Sequence, residues 1–303
     1  MPRIPLIIDA DPGVDDALAM KIAFGSPKLD VRLVCSVAGN VGIGFTTANA
    51  LFLTKRYGGR DIPVARGSGS PLSRQATDAS GVHGASGIGD YVIPGHDFML
   101  DSEDGVEAMY RAVMSAGSSA TLLTLGPLTN IATLLARHPD VVGNVERVYA
   151  MIASVDGTGN ITDYAEFNAY CDPEALDAVV RSGLDVVFAP MHLGRVAKLS
   201  QKDILERGRG TGFGRMLECV FRGYRDDAAG DGYVAMYDAN AVEAIIRPEL
   251  YEFVRCTAEV DTGEHPGRTF LRPDAGGRFH YLEIKDTAAL AKAMLSDLFP
   301  DRP

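Results

Sequence analysis

The chain has 303 residues, 46% of them hydrophobic and 23% charged, an ordinary globular composition with enough apolar material for one large core. Its 29 Lys and Arg against 40 Asp and Glu leave a formal charge of −11, which repels phosphate backbones and anionic lipid, so neither nucleic acid nor a membrane is expected as a partner. No low-complexity tract, composition shift or repeat marks a boundary, and residues 1–303 read as a single domain.

A short apolar run at residues 4–8 reads as the first strand, and a helix follows from near Asp15 or Asp16. Residues 30–38 (DVRLVCSVA) read as the second strand, with a helix over 46–57. Residues 67–100 are rich in Gly, Ser and Asp without a clear period, and a loop of that length is commonly a lid or binding loop. Strands at 120–125 and 145–153 enclose a helix at 128–137; Pro173 opens another helix, and 185–190 returns to the sheet. From Tyr251 the pattern is strand-like over 251–260 and 278–285, with a closing helix at 286–298. Short apolar runs alternating with helix-period segments predict an α/β fold with a mostly parallel central sheet flanked by helices. In such sheets functional groups gather beyond the carboxyl ends of the strands. Polar clusters stand at four such places, after Ile8, Ala38, Leu125 and Ala153.

The four cysteines (Cys35, Cys171, Cys219, Cys256) are far apart with no C-x-x-C spacing, and Cys35 and Cys256 lie in apolar runs, which reads as buried reduced thiols. The first apolar run is too short for a secretory signal and no stretch approaches a membrane span, so a cytoplasmic location is expected.

The strongest local signal is Asp9-Ala10-Asp11-Pro12-Gly13-Val14-Asp15-Asp16-Ala17, four carboxylates within eight residues directly after an apolar strand. Such crowding is costly unless a cation or proton intervenes, and Pro12-Gly13 makes a sharp turn that can fold Asp11 back toward Asp15 and Asp16. Oxygen ligands alone suit a hard cation, Ca²⁺ or Mg²⁺. Helix capping accounts for Asp15 and Asp16 but not for Asp9 and Asp11 at a strand end. Asp9-x-Asp11 is also similar to the opening of the Mg²⁺-dependent haloacid-dehalogenase-like phosphatases. Those expect Thr or Val where this chain has Gly13, and a later Lys and acidic motif of which Gly89-Asp90 with Asp97 is only an echo.

The Asp9–Ala17 segment closely resembles the N-terminal signature of the inosine–uridine preferring nucleoside hydrolases. The resemblance continues in order through Val37-Ala38-Gly39-Asn40, Leu125-Gly126-Pro127-Leu128-Thr129-Asn130, Gly159-Asn160, Ala165-Glu166-Phe167-Asn168 and Asp172-Pro173-Glu174-Ala175. It implies calcium-dependent cleavage of a ribonucleoside to ribose and base. The implied Ca²⁺ ligands are Asp11, Asp15, Asp16, the Leu125 carbonyl and Asp238, a residue whose other reading is a helix N-cap. Asp11 is implied as general base, and Asn40, Asn160, Glu166 and Asn168 as ribose-binding residues, with Asp15 and Phe167 completing the substrate set. Met151 is implied beside the sugar, although the family's Met-Gly-Gly reads Met151-Ile152-Ala153 here.

Many relatives place a histidine acid immediately before the last metal aspartate, where this chain has Tyr237. A phenol is the weaker acid. His83 matches another pocket histidine. Tyr224 and Tyr233 flank the segment where relatives carry a mobile flap, and either could meet the base. The chain has no Trp, which argues against the purine-stacking branch. The resemblance also implies a homodimer or homotetramer. Two other readings stand beside the hydrolase, the Mg²⁺-dependent phosphatase and a non-catalytic nucleoside- or ribose-binding homologue.

Overall fold

A computed structural model describes residues 2–117, 119–226, 230 and 232–300. The first half runs β1 (Ile4–Ala10), α1 (Val14–Gly25), β2 (Leu29–Ser36), α2 (Ile43–Tyr57), β3 (Val64–Arg66), α3 (Ser80–His83), α4 (Gly105–Met114), β4 (Ala120–Thr124), α5 (Thr129–Arg137) and β5 (Val145–Met151). Next come α6 (Phe167–Cys171), α7 (Pro173–Arg181), β6 (Val186–Ala189), α8 (His192–Val196), β7 (Lys198–Ser200), α9 (Gln201–Gly208), α10 (Gly212–Gly223), β8 (Tyr233–Ala235) and α11 (Tyr237–Ile246). The chain closes with β9 (Tyr251–Asp261), β10 (Arg268–Pro273), β11 (Phe279–Ile284) and α12 (Thr287–Leu298).

Among the described residues nine strands form one sheet in the order β10-β9-β11-β6-β5-β4-β1-β2-β3, and β7 pairs with β8 separately. All pairings from β11 through β3 are parallel, while β9 runs antiparallel to both its neighbours. The expected mostly parallel α/β sheet is therefore present, with an antiparallel edge added by the C-terminal strands. The central β1 reads as an unbroken apolar run because both its faces are covered: Leu6, Ile8 and Ala10 belong to one apolar cluster and Ile7 to the other.

Strand boundaries differ from the sequence reading where they matter most. β2 stops at Ser36 rather than at 38, and β5 at Met151 rather than at 153, because the chain turns there into the site. α2 starts at Ile43, three residues early, behind Gly42. The long 67–100 segment carries the four-residue α3 and is tied down by Asp172, the N-cap of α7. Asp172 Oδ2 accepts from Leu72 N at 2.9 Å and from the Thr129 hydroxyl at 2.7 Å. Among the described residues no helix is long and apolar enough to cross a membrane.

Candidate active site

β1 delivers its last aspartates to the carboxyl edge of the sheet, and α1 starts at once with two more. Asp15 and Asp16 sit in the first turn of α1, and Asp238 enters from the first turn of α11, which packs against α1. Carboxylate oxygens of Asp15, Asp16 and Asp238 all lie within 4.8 Å of one another, and all three residues are buried. Asp238 is not the helix N-cap that its sequence position suggested, since Met236 holds that place.

Asp11 stands beside this group. Its Oδ2 accepts the Asn40 N–H at 2.6 Å, and its carboxylate occupies the space that a Cβ on Gly39 or Gly126 would take. Those two glycines of the Ala-Gly-Asn and Leu-Gly-Pro motifs thus form its cradle. Asp16 Oδ2 accepts from Gly13 N and from Asn40 Nδ2, both at 2.9 Å, so Asp16 braces the helix start and faces the site at once. Asp9 lies apart, its Oδ1 accepting from Asn130 Nδ2 at 2.7 Å.

Asp11 Oδ1, Asp15 Oδ1 and Asp16 Oδ1 are buried without a hydrogen-bond donor among the described residues. Burial first, and then repulsion among the neighbouring aspartates, holds Asp11, Asp15 and Asp238 well above the usual carboxylate range. Asp16 is pushed up to about 6 by burial, held back by the Gly13 N–H and by Asp238. Anionic oxygens that converge without donors are what a divalent cation satisfies. The residues present therefore fit a hard metal ion.

Above this floor opens a cavity of about 510 Å³. Met151, Glu166, Phe167 and Asn168 line one side. Glu166 caps α6: Oε1 accepts from Asn168 N at 2.8 Å, and Oε2 from Ala153 N and Ala169 N at 3.0 Å each. Burial pushes it up to about 7 against these bonds. Asn168 Nδ2 donates to Leu125 O at 2.8 Å and Met151 O at 2.9 Å. Both its amide hydrogens are thereby engaged, and Oδ1 is left to accept from a ligand. Leu125 also lines the cavity. Asn40 is similarly engaged through Nδ2, to Asp11 O at 3.1 Å and to Asp16. Asn160 lies exposed at the rim.

Ala153, which stands where the related motif has Gly, has φ of 81°. A side chain there costs about 1 kcal/mol. The strained turn aims its N–H at Glu166.

The outer end is lined by His83, Tyr224 and Tyr237, with Asp78, Arg195, Arg225 and Asp226 added by the fold. His83 is buried at the end of α3, and its Nδ1 accepts the Val14 N–H at 3.2 Å. Burial lowers its pKa to about 4, so the ring is neutral. The Tyr224 hydroxyl donates to Asp226 Oδ2 at 2.9 Å. The Tyr237 ring fills the space beside Gly194 of α8 where a Cβ would go. Burial, then the carboxylates of Asp226 and Asp15, raise its phenol above the usual range. Tyr233 lies in β8, exposed and outside the cavity lining, so of the two flanking tyrosines only Tyr224 reaches the pocket. Of the segment between them, 227–229 and 231 lie outside the described residues.

Residues 6–294 match the family described as inosine-uridine preferring nucleoside hydrolase. A non-specific ribonucleoside hydrolase RihC of Klebsiella pneumoniae subsp. pneumoniae is 38% identical over 260 residues, 86% of this chain and 84% of its own. Among solved structures, a plant nucleoside hydrolase superposes with a TM-score of 0.89 at 26% identity, covering 98% of this chain and 99% of its own. A purine-preferring ribonucleoside hydrolase from Gardnerella vaginalis gives the same TM-score of 0.89 at 25% identity, covering 97% and 98%. These likenesses leave the phosphatase reading without support. The chain belongs to the inosine-uridine preferring nucleoside hydrolase family.

Proposed function

We propose that this protein hydrolyses the N-glycosidic bond of ribonucleosides, giving ribose and free base, with Ca²⁺ held on the aspartate floor. The observation that carries the reading is the set of donor-less carboxylate oxygens of Asp11, Asp15 and Asp16 beside a cavity that Asp15 and Asp238 line together with Asn168 and Glu166 side chains fixed in place. Asp11, Asp15, Asp16, Asp238 and the Leu125 carbonyl would hold the cation. When bound, it supplies a Lewis acid that acidifies water and holds vicinal hydroxyls.

The remaining work falls to the chain. Asp11, cradled with one oxygen free of donors, takes the proton from the water that attacks C1′. Asn168 Oδ1 and Glu166 accept from sugar hydroxyls, with Asn160 closing the rim and Met151 and Phe167 packing on the ribose. Their partners are engaged before substrate arrives, so little reorganisation accompanies the developing oxocarbenium charge. The inverse holds too: a sugar lacking a hydroxyl leaves Asn168 Oδ1 without that donor.

Ribose release from a ribonucleoside panel, alongside the 2′-deoxy series and simple phosphomonoesters, tests the reading. Ribose from the ribosides and little from the deoxyribosides is expected. Phosphate release, or saturable binding without turnover, would replace it with the phosphatase or the binding-protein reading.

A further inference from the structure

β10 is the outermost strand of the sheet, and the segment that leaves β5 and returns through α6 runs along its far side. Leu271 N donates to Val155 O at 3.1 Å, and Arg268 bridges antiparallel to Ala165. An edge strand presents backbone groups that a neighbouring segment can take up. Here the segment that takes them up is the one that delivers Glu166 and Asn168 to the cavity.

Glu166 spans two separate pieces of that segment. Its Oε2 accepts from Ala153 N in the turn after β5 and from Ala169 N in α6, at 3.0 Å each. The carboxylate keeps its place only while turn and helix keep their spacing, and the β10 strand backs both. Just before the strand begins, Gly267 lies so close to α6 that a Cβ there would stand 2.6 Å from the Tyr170 Cα. Two residues on, the hydroxyl of the buried Thr269 accepts the Ser154 N–H at 2.7 Å and donates to the Ser154 carbonyl at 3.0 Å. One side chain thus satisfies both backbone groups of the residue that follows Ala153. The turn needs such a hold, because Ala153 stands at a φ of 81°, a conformation that a residue with a side chain keeps only where its surroundings impose it.

We propose that Thr269 is a positioning residue for ribonucleoside hydrolysis, fixing the turn after β5 so that Glu166 meets the sugar in one place. The inference rests on the N-ribohydrolase reading above. Thr269 does not itself line the cavity; it acts through Ser154, Ala153 and Glu166 in turn. Without its hydroxyl two buried backbone groups lose their partner, and the strained turn is the part that relaxes. The Ala153 N–H then moves, and the carboxylate either follows it or loses a donor. A misplacement of about 1 Å in a group that orients the substrate costs about 100-fold in rate.

The test follows ribose release from p-nitrophenyl riboside with calcium present, in Thr269→Val, which keeps the shape and drops the hydroxyl, and in Thr269→Ser, which keeps the hydroxyl. At a temperature where circular dichroism shows the variant folded, Thr269→Val is expected to lower kcat/KM by about 10- to 100-fold, and Thr269→Ser to regain most of that loss. In a Glu166→Gln background the same Thr269→Val change should cost less than about twofold, since the group it places is already gone. A hydroxyl that serves stability alone would lower Tm in both backgrounds without this coupling in kcat/KM. Near-parental kcat/KM in folded Thr269→Val, or an undiminished loss in the Glu166→Gln background, overturns the positioning role while the parent still cleaves. Should Thr269→Val fail to fold, Thr269→Ala is read by the same criteria. No ribose from the parent overturns the ribohydrolase reading, and this inference with it.

Discussion

Helix α11 buries two acids five residues apart, Asp238 and Glu243, and they meet opposite circumstances. Both Glu243 oxygens are buried without a hydrogen-bond donor. Its nearest cation, Arg247, has Nε 3.7 Å away and is engaged with Asp297. Burial, reinforced by Asp297, pushes Glu243 up to about 8. A lone buried carboxylate meets its situation by keeping a proton. Asp238 joins Asp15 and Asp16 within 4.8 Å, a convergence of carboxylate oxygens that one divalent cation could satisfy together. Burial therefore does not identify a metal floor; convergence does. Glu243 shows what the same helix does with an acid that has no such company.

The comparison can be sharpened by substitution. The largest effect is expected at Asp11: Asp11→Asn should lower kcat for ribose release by about 10²–10⁴-fold, the range typical of a lost general base, with an unchanged circular dichroism spectrum. Near-parental turnover at saturating substrate would move the base elsewhere.

Next is the cation's hold on stability. Calcium at a hundred times its Kd should stabilise the parent by about 2.7 kcal/mol, read as a rise in Tm. Asp238→Asn should lose most of that rise, and Glu243→Gln should keep it. Equal losses in both variants would dissolve the distinction between the two acids.

Glu243 itself should report through pH. Its folded pKa of about 8 lies above the ordinary value of 4.5, so its contribution is full below about 4.5 and is lost as pH rises to about 8. Glu243→Gln removes that slope, and its stability relative to the parent should improve by roughly 2–3 kcal/mol between pH 5 and 8. Parallel denaturation profiles across that range would contradict a buried, protonated acid.

The smallest effect is expected at the turn after β5. Ala153→Gly relieves the positive φ and should stabilise by about 0.5–1 kcal/mol; a destabilised variant would mean that the methyl group packs to advantage.

The floor is legible in sequence because four aspartates around a Pro-Gly turn at the end of an apolar strand have no bland explanation together. Asn168, Glu166 and Asn160 are legible through the resemblance, since residue type alone reads them as loop. Gly39 and Gly126 stand in recognisable motifs, but only the fold reveals that Asp11 fills the space of their absent Cβ atoms. Asp78, Arg195, Arg225 and Asp226 are ordinary charged residues in polar stretches; the long 67–100 segment brings the first, and the chain at α8 and just after α10 the other three, to one cavity. α10 carries a legible pattern as well, with Phe213, Met216, Leu217, Val220 and Phe221 all buried at helical spacing. The antiparallel edge is built from β9, β10 and β11, neighbours in the chain, but its attachment to the sheet through β11 and β6 is a long-range pairing that local pattern does not specify.

A cation held by converging carboxylates in an N-ribohydrolase makes turnover depend on calcium and on Asp238 together. Ribose release from p-nitrophenyl riboside would be followed in protein stripped with chelator, then with calcium restored, for the parent and for Asp238→Asn. The account predicts loss of activity on stripping, recovery with calcium in the parent, and recovery only at much higher calcium, or none, in the variant. Full activity in stripped parent protein verified free of divalent metal would contradict it.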